Sequence, residues 1–203
     1  MAFEDLIAGI AKFQKTEHAN NAKHYQALAM GQSPDTFVIA CADSRLTPQA
    51  MTQSESGELF LARNAGNFVP KYPDGMNEGT AATLEYAILG LGVTNIVILG
   101  HSDCGAMKAL KNGAPDNLPR VKRWIVHGND ALSAAGQDCD LLSLTLENIR
   151  SQINNLMTYD FVAARIKNKS LTLHGWYFDI GSGTVDAIGH DGKFAPISEI
   201  YAT

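Results

Sequence analysis

The sequence predicts an α/β fold, in which a mostly parallel central β-sheet is flanked by helices and preceded by an N-terminal helical arm. Two short apolar runs rich in β-branched residues, 36–42 (TFVIACA) and 95–100 (NIVILG), have the composition of strands buried on both faces, which is typical of a parallel sheet. Segments with helical spacing of apolar residues alternate with such runs, and this alternation indicates successive β-α units. A chain of 203 residues is enough for one domain, predicted as 1–203.

The N-terminal arm, residues 1–30, is predicted to contain two helices. The first carries a single apolar stripe at helical spacing, formed by Phe3, Leu6, Ile7, Ile10 and Phe13. The second is expected near residues 19–30, and Gly31, Ser33 and Pro34 then break the chain. The apolar stripe fits packing against the arm's own domain as well as packing against a second chain.

The later segments complete the alternation of strands and helices. The remaining predicted strands are 58–62, 171–180 and 183–188. The predicted helices after the arm are 78–91, 118–134 and 141–157. Because parallel sheets place their sites beyond the carboxyl ends of the strands, the segments that follow the two buried runs are where we expect function.

Composition argues against several classes of function. The formal net charge of -5 gives no sign of the clustered basic face that a nucleic-acid partner requires. The longest apolar runs are far too short to cross a bilayer, so we expect no membrane partner. Residues 1–13 include Glu4 and Asp5 and lack the basic start and continuous apolar stretch of a secretory signal, so a cytoplasmic location is expected. The three cysteines, Cys41, Cys104 and Cys139, are too few for a disulfide framework and favour metal or catalytic use.

The first chemically distinctive motif, CADSR, comes at the end of the first buried run. If the chain stays extended, Cys41, Asp43 and Arg45 lie on one side of it, because side chains of a strand alternate between its faces. A thiolate, a carboxylate and a guanidinium are then presented in a row. By itself the motif also fits a strand end with a small buried cysteine and a surface ion pair.

The second motif, HSDCG, directly follows the run at 95–100. Alone, His101 and Cys104 are a weak signal, since a histidine beside a helix start is common. Both motifs leave the same edge of a parallel sheet, however, so Cys41, His101 and Cys104 can converge on one zinc ion. Three protein ligands leave the fourth position open, which is typical of catalytic rather than structural zinc.

Two residues are candidates for a fourth ligand. Cys139 lies in a polar loop, 136–140, and is the weaker candidate. Asp43 is two residues from Cys41 and can fill the position unless Arg45 restrains it in a charge-assisted pair. With the pair formed the metal keeps its water, and with the pair broken Asp43 displaces that water. The sequence leaves both states open.

Four motifs resemble the β-class carbonic anhydrases in content, order and spacing. They are CADSR (41–45), RNAGN (63–67), GHSDCG (100–105) and HGWYFDIGSG (174–183). The resemblance runs from about Gln32 to the end of the chain. It implies the β-carbonic anhydrase fold, one Zn²⁺ per chain on Cys41, His101 and Cys104, and a catalytic dyad of Asp43 and Arg45.

The resemblance also implies a substrate pocket for carbon dioxide and bicarbonate. By matching position, its residues are Gln32, Phe60, Ala65, Tyr86 and the backbone amide of Gly105. Gln32 and part of the aromatic wall would come from the neighbouring subunit of a homo-oligomer, with a dimer as the minimum unit and a tetramer possible. The N-terminal arm would then wrap the dimer. Two further polar residues, Arg63 and Asn67, are expected to organise the loop after the second strand.

The implied activity is the reversible hydration of carbon dioxide to bicarbonate and a proton by a zinc-bound hydroxide. Val38 stands where the branch that closes Asp43 onto zinc carries a tryptophan, which together with Gln32 favours the open, plant-type branch. Hydrolysis of carbonyl sulfide or carbon disulfide on the same site is the enzyme alternative, and a non-catalytic zinc scaffold is a second. A cysteine phosphatase fails because its loop needs five residues between cysteine and arginine. A nucleotide-binding module fails because no glycine-rich phosphate loop follows either strand.

Overall fold

The chain divides into a small N-terminal unit, Met1–Ser33, and a main unit, Pro34–Thr203. The computed structural model describes residues 2–73 and 79–202. The N-terminal unit consists of three helices: α1 (Phe3–Lys15), α2 (Glu17–Asn20) and α3 (Ala22–Leu28). The predicted second helix is therefore two short ones. The five apolar side chains of the α1 stripe are all exposed, from 41% at Phe13 to 71% at Phe3.

The main unit is built on a six-stranded sheet with the strand order β2-β1-β3-β4-β5-β6. Its strands are β1 (Thr36–Cys41), β2 (Leu59–Asn64), β3 (Asn95–His101), β4 (Thr172–Phe178), β5 (Val185–Ile188) and β6 (Phe194–Pro196). The first four are mutually parallel, and β5 and β6 add to the edge in antiparallel pairing. This confirms the predicted mostly parallel sheet.

Helices cover both faces of the sheet. In chain order they are α4 (Pro48–Thr52), α5 (Gly79–Glu85), α6 (Gly105–Asn112), α7 (Pro119–Trp124), α8 (Asn129–Ala135), α9 (Leu141–Leu156), α10 (Asp160–Lys167) and α11 (Ile197–Ile200). Within the described ranges no helix combines the length and the apolar character that a membrane span needs.

The continuously apolar sequence of β1 is explained by its burial on both faces. Phe37 and Ile39 belong to one core cluster, whereas Val38 and Ala40 belong to the other, and all four are at most 2% exposed. Alternate side chains thus point into two separate cores, as expected for a strand covered by helices on both faces. The carboxyl end of β1 consequently lies between the two cores of the main unit, beside that of β3.

Two predicted helices are interrupted. The predicted helix at 118–134 is divided by a 3₁₀ turn, Ile125–Gly128, where a Cβ on Gly128 would lie 2.6 Å from Leu110 Cδ2. The predicted helix at 78–91 is α5 followed by a π-helical turn, Tyr86–Gly90, and residue 78 lies outside the described ranges. In that turn a Cβ on Gly90 would lie 2.6 Å from the Tyr86 ring. Close packing at a glycine, which spacing of apolar residues does not reveal, accompanies both interruptions.

The helix α9 approaches the sheet closely because β3 and β4 carry glycines beneath it. A Cβ on Gly175 would lie 2.6 Å from Ile149 Cγ2, and one on Gly100 would lie 2.8 Å from Ile149 Cδ1. We expect Gly175→Ala to destabilise the protein by about 1–3 kcal/mol through overpacking of a filled core. Thermal unfolding measures this as a midpoint lowered by several degrees. Gly9→Ala, which places its Cβ in open space, is the control and should not lower the midpoint.

Candidate active site

Three potential metal ligands converge at the carboxyl edge of the sheet. Cys41 is the last residue of β1, His101 is the last residue of β3, and Cys104 is the N-cap residue of α6. All three are buried, and their donor atoms lie within 4.8 Å of one another. The two sulfur atoms are 3.9 Å apart. Adjacent parallel strands therefore bring together residues separated by 60 positions in the sequence, as the strand order requires.

The ring of His101 is oriented as a ligand. Its Nδ1 lies 2.8 Å from the Ser102 carbonyl oxygen and, since a carbonyl only accepts, Nδ1 carries the proton and donates it. The lone pair is then on Nε2. Within the described part of the chain, Nε2 is buried and has no hydrogen-bond partner. A buried nitrogen without a partner is costly, and a metal ion facing it would satisfy it.

The two thiols share their protons unequally. A hydrogen bond from Cys104 lowers the pKa of Cys41 despite its burial, and the Gly66 amide, 3.4 Å from Cys41 Sγ, acts in the same direction. The hydrogen bond to Cys41, together with burial, raises the pKa of Cys104. The pair thus loses its first proton readily. Loss of the second proton is unfavourable unless a nearby cation offsets the charge of the two thiolates. Two thiolates and one imidazole fit zinc in charge and in chemical softness.

The Asp43 carboxylate lies beside these donors and is held by Arg45. Arg45 Nε donates to Asp43 Oδ1 at 2.9 Å, Nη2 donates to Oδ2 at 2.8 Å, and the Arg45 backbone amide donates to Oδ1 at 2.9 Å. These bonds hold the pKa of Asp43 well below its usual range. Asp43 Oδ2 is 4.0 Å from His101 Nε2. The carboxylate is therefore ionised, fixed and next to the potential metal position.

The geometry of this pair differs from the extended chain assumed in the sequence analysis. The strand ends at Cys41, and residues 44–45 form a turn that folds Arg45 back onto Asp43. Side-chain alternation along a strand is therefore not what brings Asp43 and Arg45 together.

Arg63 anchors the loop that carries Asp43. Its Nε donates to the Cys41 carbonyl at 3.0 Å, and its Nη2 donates to the carbonyls of Asp43 and Leu46, each at 2.7 Å. The expectation that Arg63 organises the loop after β2 was wrong, because its guanidinium reaches across to the loop after β1. Asn64 takes the expected role instead, since its side chain donates to the Phe68 carbonyl and accepts from the Phe68 amide.

Asp103 is a polar residue of the site that the sequence analysis did not single out. Arg45 Nη1 donates to Asp103 Oδ2 at 3.0 Å, and Lys108 forms a second ion pair with the same carboxylate. Asp103 adopts a left-handed backbone conformation with φ 59°. The guanidinium of Arg45 thereby joins the two motifs. An acidic residue between the two potential ligands His101 and Cys104 was the available sequence signal.

The predicted pocket residues fall into two groups. Gly105 directly follows Cys104 at the start of α6. Ala65 directly precedes Gly66, whose backbone amide faces Cys41 Sγ. Phe60 contacts Tyr86, with ring centroids 5.9 Å apart. Phe60, however, pairs with Phe37, four residues before Cys41 on β1, which is roughly 13 Å along the strand.

Within one chain the structure thus brings Ala65 and Gly105, but not the Phe60–Tyr86 pair, to the cluster of ligands. Gln32 is exposed in the N-terminal unit. Cys139 is partly buried before α9 and lies outside the cluster of metal-ligating side chains found in the described residues.

Comparison with known proteins gives one family. A family model described as carbonic anhydrase matches residues 36–185. A carbonic anhydrase of Pseudomonas aeruginosa is 41% identical over 96% of this chain and 92% of that protein. Beta carbonic anhydrase 3 of Arabidopsis thaliana is 34% identical over 96% of this chain and 80% of that protein. The solved structure of the β-carbonic anhydrase CcaA matches with a TM-score of 0.90 and 36% identity, covering 95% of this chain and 91% of that one.

The chain belongs to the β-carbonic anhydrase family. It is therefore an enzyme, and the resemblance stated from its four motifs is confirmed, as is the fold class. The range matched by the carbonic anhydrase family model contains all three potential zinc ligands and the Asp43–Arg45 pair, whereas Gln32 and the N-terminal helices precede it.

Proposed function

We propose that the enzyme catalyses the reversible hydration of carbon dioxide to bicarbonate and a proton, with one zinc ion held by Cys41, His101 and Cys104. The observation that carries this proposal is the convergence of two thiols and an unpartnered imidazole nitrogen beside an ionised carboxylate. A zinc ion held there would supply Lewis-acid activation of water to hydroxide near neutral pH.

The residues around the ligands have separate tasks in this proposal. Asp43, kept ionised and fixed by Arg45, accepts a hydrogen bond from the attacking oxygen and thereby orients that oxygen's lone pair toward the carbon. The Gly105 amide and Gln32 donate to the substrate oxygens that gain negative charge. Phe60, Ala65 and Tyr86 provide an apolar wall for a nonpolar gas molecule. We further propose that the enzyme belongs to the open, plant-type branch, since the formed Asp43–Arg45 pair and Val38 both favour it.

The test is stopped-flow carbon dioxide hydration on protein whose zinc content is determined by elemental analysis. We expect rapid turnover with about one zinc per chain. Zinc without turnover of carbon dioxide at any pH contradicts the proposal, and turnover of carbonyl sulfide or carbon disulfide by that same protein would then assign the site to the sulfur analogues.

The rate of hydration should rise toward alkaline pH. Two thiolates would offset the charge of a bound zinc ion more than three neutral imidazoles do, so activation of water here would need a higher pH than at the three-histidine site, where the pKa of the activated water is about 7. Asp43 does not add a step to this pH range, because Arg45 keeps its pKa far below neutrality. A pH profile of kcat from pH 6 to 9 measures the effect. A plateau already reached below pH 7 would refute the expectation.

We propose that a complete site needs a second copy of this chain. The Phe60–Tyr86 pair lies away from the ligands of its own chain, and the α1 stripe is exposed. The double variant Ile7→Asp and Ile10→Asp, on the stripe, should weaken dimerisation and reduce turnover together, as measured by sedimentation and stopped-flow kinetics. Lys12→Asp, a charge change on the same helix outside the stripe, is the control. A fully active monomeric double variant would disprove this assembly.

A further inference from the structure

A row of buried polar side chains on α9 supports the loop after β2. Asn148, Gln152 and Asn155 are spaced three and four residues apart on one face of the helix, and none is more than 3% exposed. Burial of an amide is costly unless its hydrogen bonds are made. Gln152 Nε2 donates to Asn148 Oδ1 at 2.9 Å, and Asn155 Nδ2 donates to Gln152 Oε1 at 3.1 Å. The three amides therefore form one connected network.

The network binds the backbone of the loop at two separate places. Asn148 Nδ2 donates to the Gly66 carbonyl at 3.1 Å. Three residues further along the loop, the Val69 amide donates to Gln152 Oε1 at 2.8 Å and the Val69 carbonyl accepts from Asn155 Nδ2 at 2.9 Å. Asn148 thus acts on Gly66, whereas Asn155 acts on Val69.

Gly66 links this network to a proposed metal ligand. Its amide lies 3.4 Å from Cys41 Sγ, while its carbonyl is the acceptor for Asn148. The residue has φ +87°, and a Cβ there would lie 2.7 Å from the Phe68 ring and 2.9 Å from Ala106 Cβ. The Gly66 amide shares a peptide group with the Ala65 carbonyl, which accepts from Trp124 Nε1 at 2.7 Å, and the Gly66 carbonyl held by Asn148 belongs to the next peptide group. Because the two peptide groups meet at the Gly66 Cα, Asn148 limits how far the Gly66 amide can turn away from Cys41.

An amide that donates to a thiolate stabilises the charged form and limits where the sulfur can move. Groups that orient a metal ligand from behind typically change metal affinity by about 10–100-fold when they are removed. We propose that Asn148, braced by Gln152, is a positioning residue that aims the Gly66 amide at the Cys41 thiolate and so sets the metal affinity of the site. This inference rests on the proposed zinc site.

The matched variants are Asn148→Ala and Asn155→Ala. Each removes one fully buried amide from the same helix face, so both should lower the unfolding midpoint of the apoprotein. Only Asn148→Ala leaves the Gly66 carbonyl without its donor. We measure zinc affinity by competition with a chromophoric chelator, and the sulfur-to-metal charge-transfer absorption of the cobalt(II)-substituted protein, neither of which depends on turnover.

We expect Asn148→Ala to lower zinc affinity about tenfold or more and to shift the cobalt charge-transfer band. The zinc affinity of Asn155→Ala should stay within about threefold of that of the unaltered chain. If folded Asn148→Ala has unchanged zinc affinity and an unchanged cobalt spectrum, the inference is overturned. An equal loss of zinc affinity in both variants also overturns it, because both asparagines would then only stabilise the fold. If Asn148→Ala does not fold, Asn148→Ser, whose shorter hydroxyl does not span to Gly66, is judged by the same outcomes. An unaltered chain that binds no zinc overturns the proposed function itself, and this inference with it.

Discussion

Replacing Arg45 with alanine is expected to remove most of the proposed carbon dioxide hydration while leaving the proposed zinc site occupied. The substitution deletes both side-chain hydrogen bonds that hold the Asp43 carboxylate, which lies 4.0 Å from His101 Nε2. With only the Arg45 backbone amide still donating to it, the Asp43 carboxylate can turn toward the position that a fourth ligand would take, and it then no longer orients the attacking oxygen. We expect turnover to fall by about 100-fold or more, the usual scale for a misplaced catalytic group. Stopped-flow kinetics and zinc analysis of the same sample measure both quantities.

Arg150→Ala is the control for this experiment, because Arg150 also forms an ion pair, with Glu147, but is not a neighbour of Asp43. It should retain turnover close to that of the unaltered enzyme. An Arg45→Ala variant with full activity would disprove the dyad. Loss of zinc from Arg45→Ala would instead assign Arg45 a structural role in the ligand loop, and would equally contradict the expectation.

Replacing Cys104 with serine is expected to abolish stoichiometric binding of zinc at the proposed site. A hydroxyl is not ionised near neutral pH, so the substitution removes one of the two thiolates that match the charge of the ion. Serine is a favourable N-cap residue, and Cys104 is the N-cap of α6, so the helix itself should not be weakened. We expect zinc affinity to fall by at least two orders of magnitude, measured by chelator competition, and turnover to be lost with it.

Cys139→Ser is the matched control for the cysteine experiment. Cys139 is the third free cysteine and lies outside the ligand cluster, so its variant should bind about one zinc per chain and turn over normally. Retention of full zinc affinity by Cys104→Ser, or loss of zinc from Cys139→Ser, would show that the proposed ligand set is wrong.

The parts of the site predicted best are those that depend on chain topology. The apolar runs that contain β1 and β3 were predicted to within one residue of their ends, because a strand buried on both faces has an unbroken apolar sequence. Since parallel strands end at one edge, Cys41, His101 and Cys104 were expected to converge there, and in the structure they do. Short motifs next to well-defined strands therefore carried most of the information about chemistry.

The parts predicted poorly depend on individual side chains that reach distant backbone atoms. Arg63 was assigned to the loop after its own strand, but it binds the Cys41 carbonyl at the end of β1 and two carbonyls in the loop that follows β1. Asn148 was treated only as part of a helical pattern, although it is wholly buried and binds the Gly66 carbonyl 82 residues away. Such contacts have no periodicity, and an amide on a predicted helix is usually expected to face solvent.

The amino-acid sequence by itself determined the class of fold, the family and which cysteine and histidine side chains converge at one edge of the sheet. A buried strand and the motif at its end can both be recognised from sequence, because each is a run of consecutive residues. Only the tertiary structure decided that Arg45 pairs with Asp43 across a turn, that Asp103 and Arg63 hold this pair and its loop in place, and that α9 binds the carbonyl of Gly66, the residue whose amide faces Cys41. Apart from the local Arg45–Asp43 pair, these arrangements are fixed by hydrogen bonds between groups far apart in the chain, whose geometry exists only once the two cores of the sheet have packed.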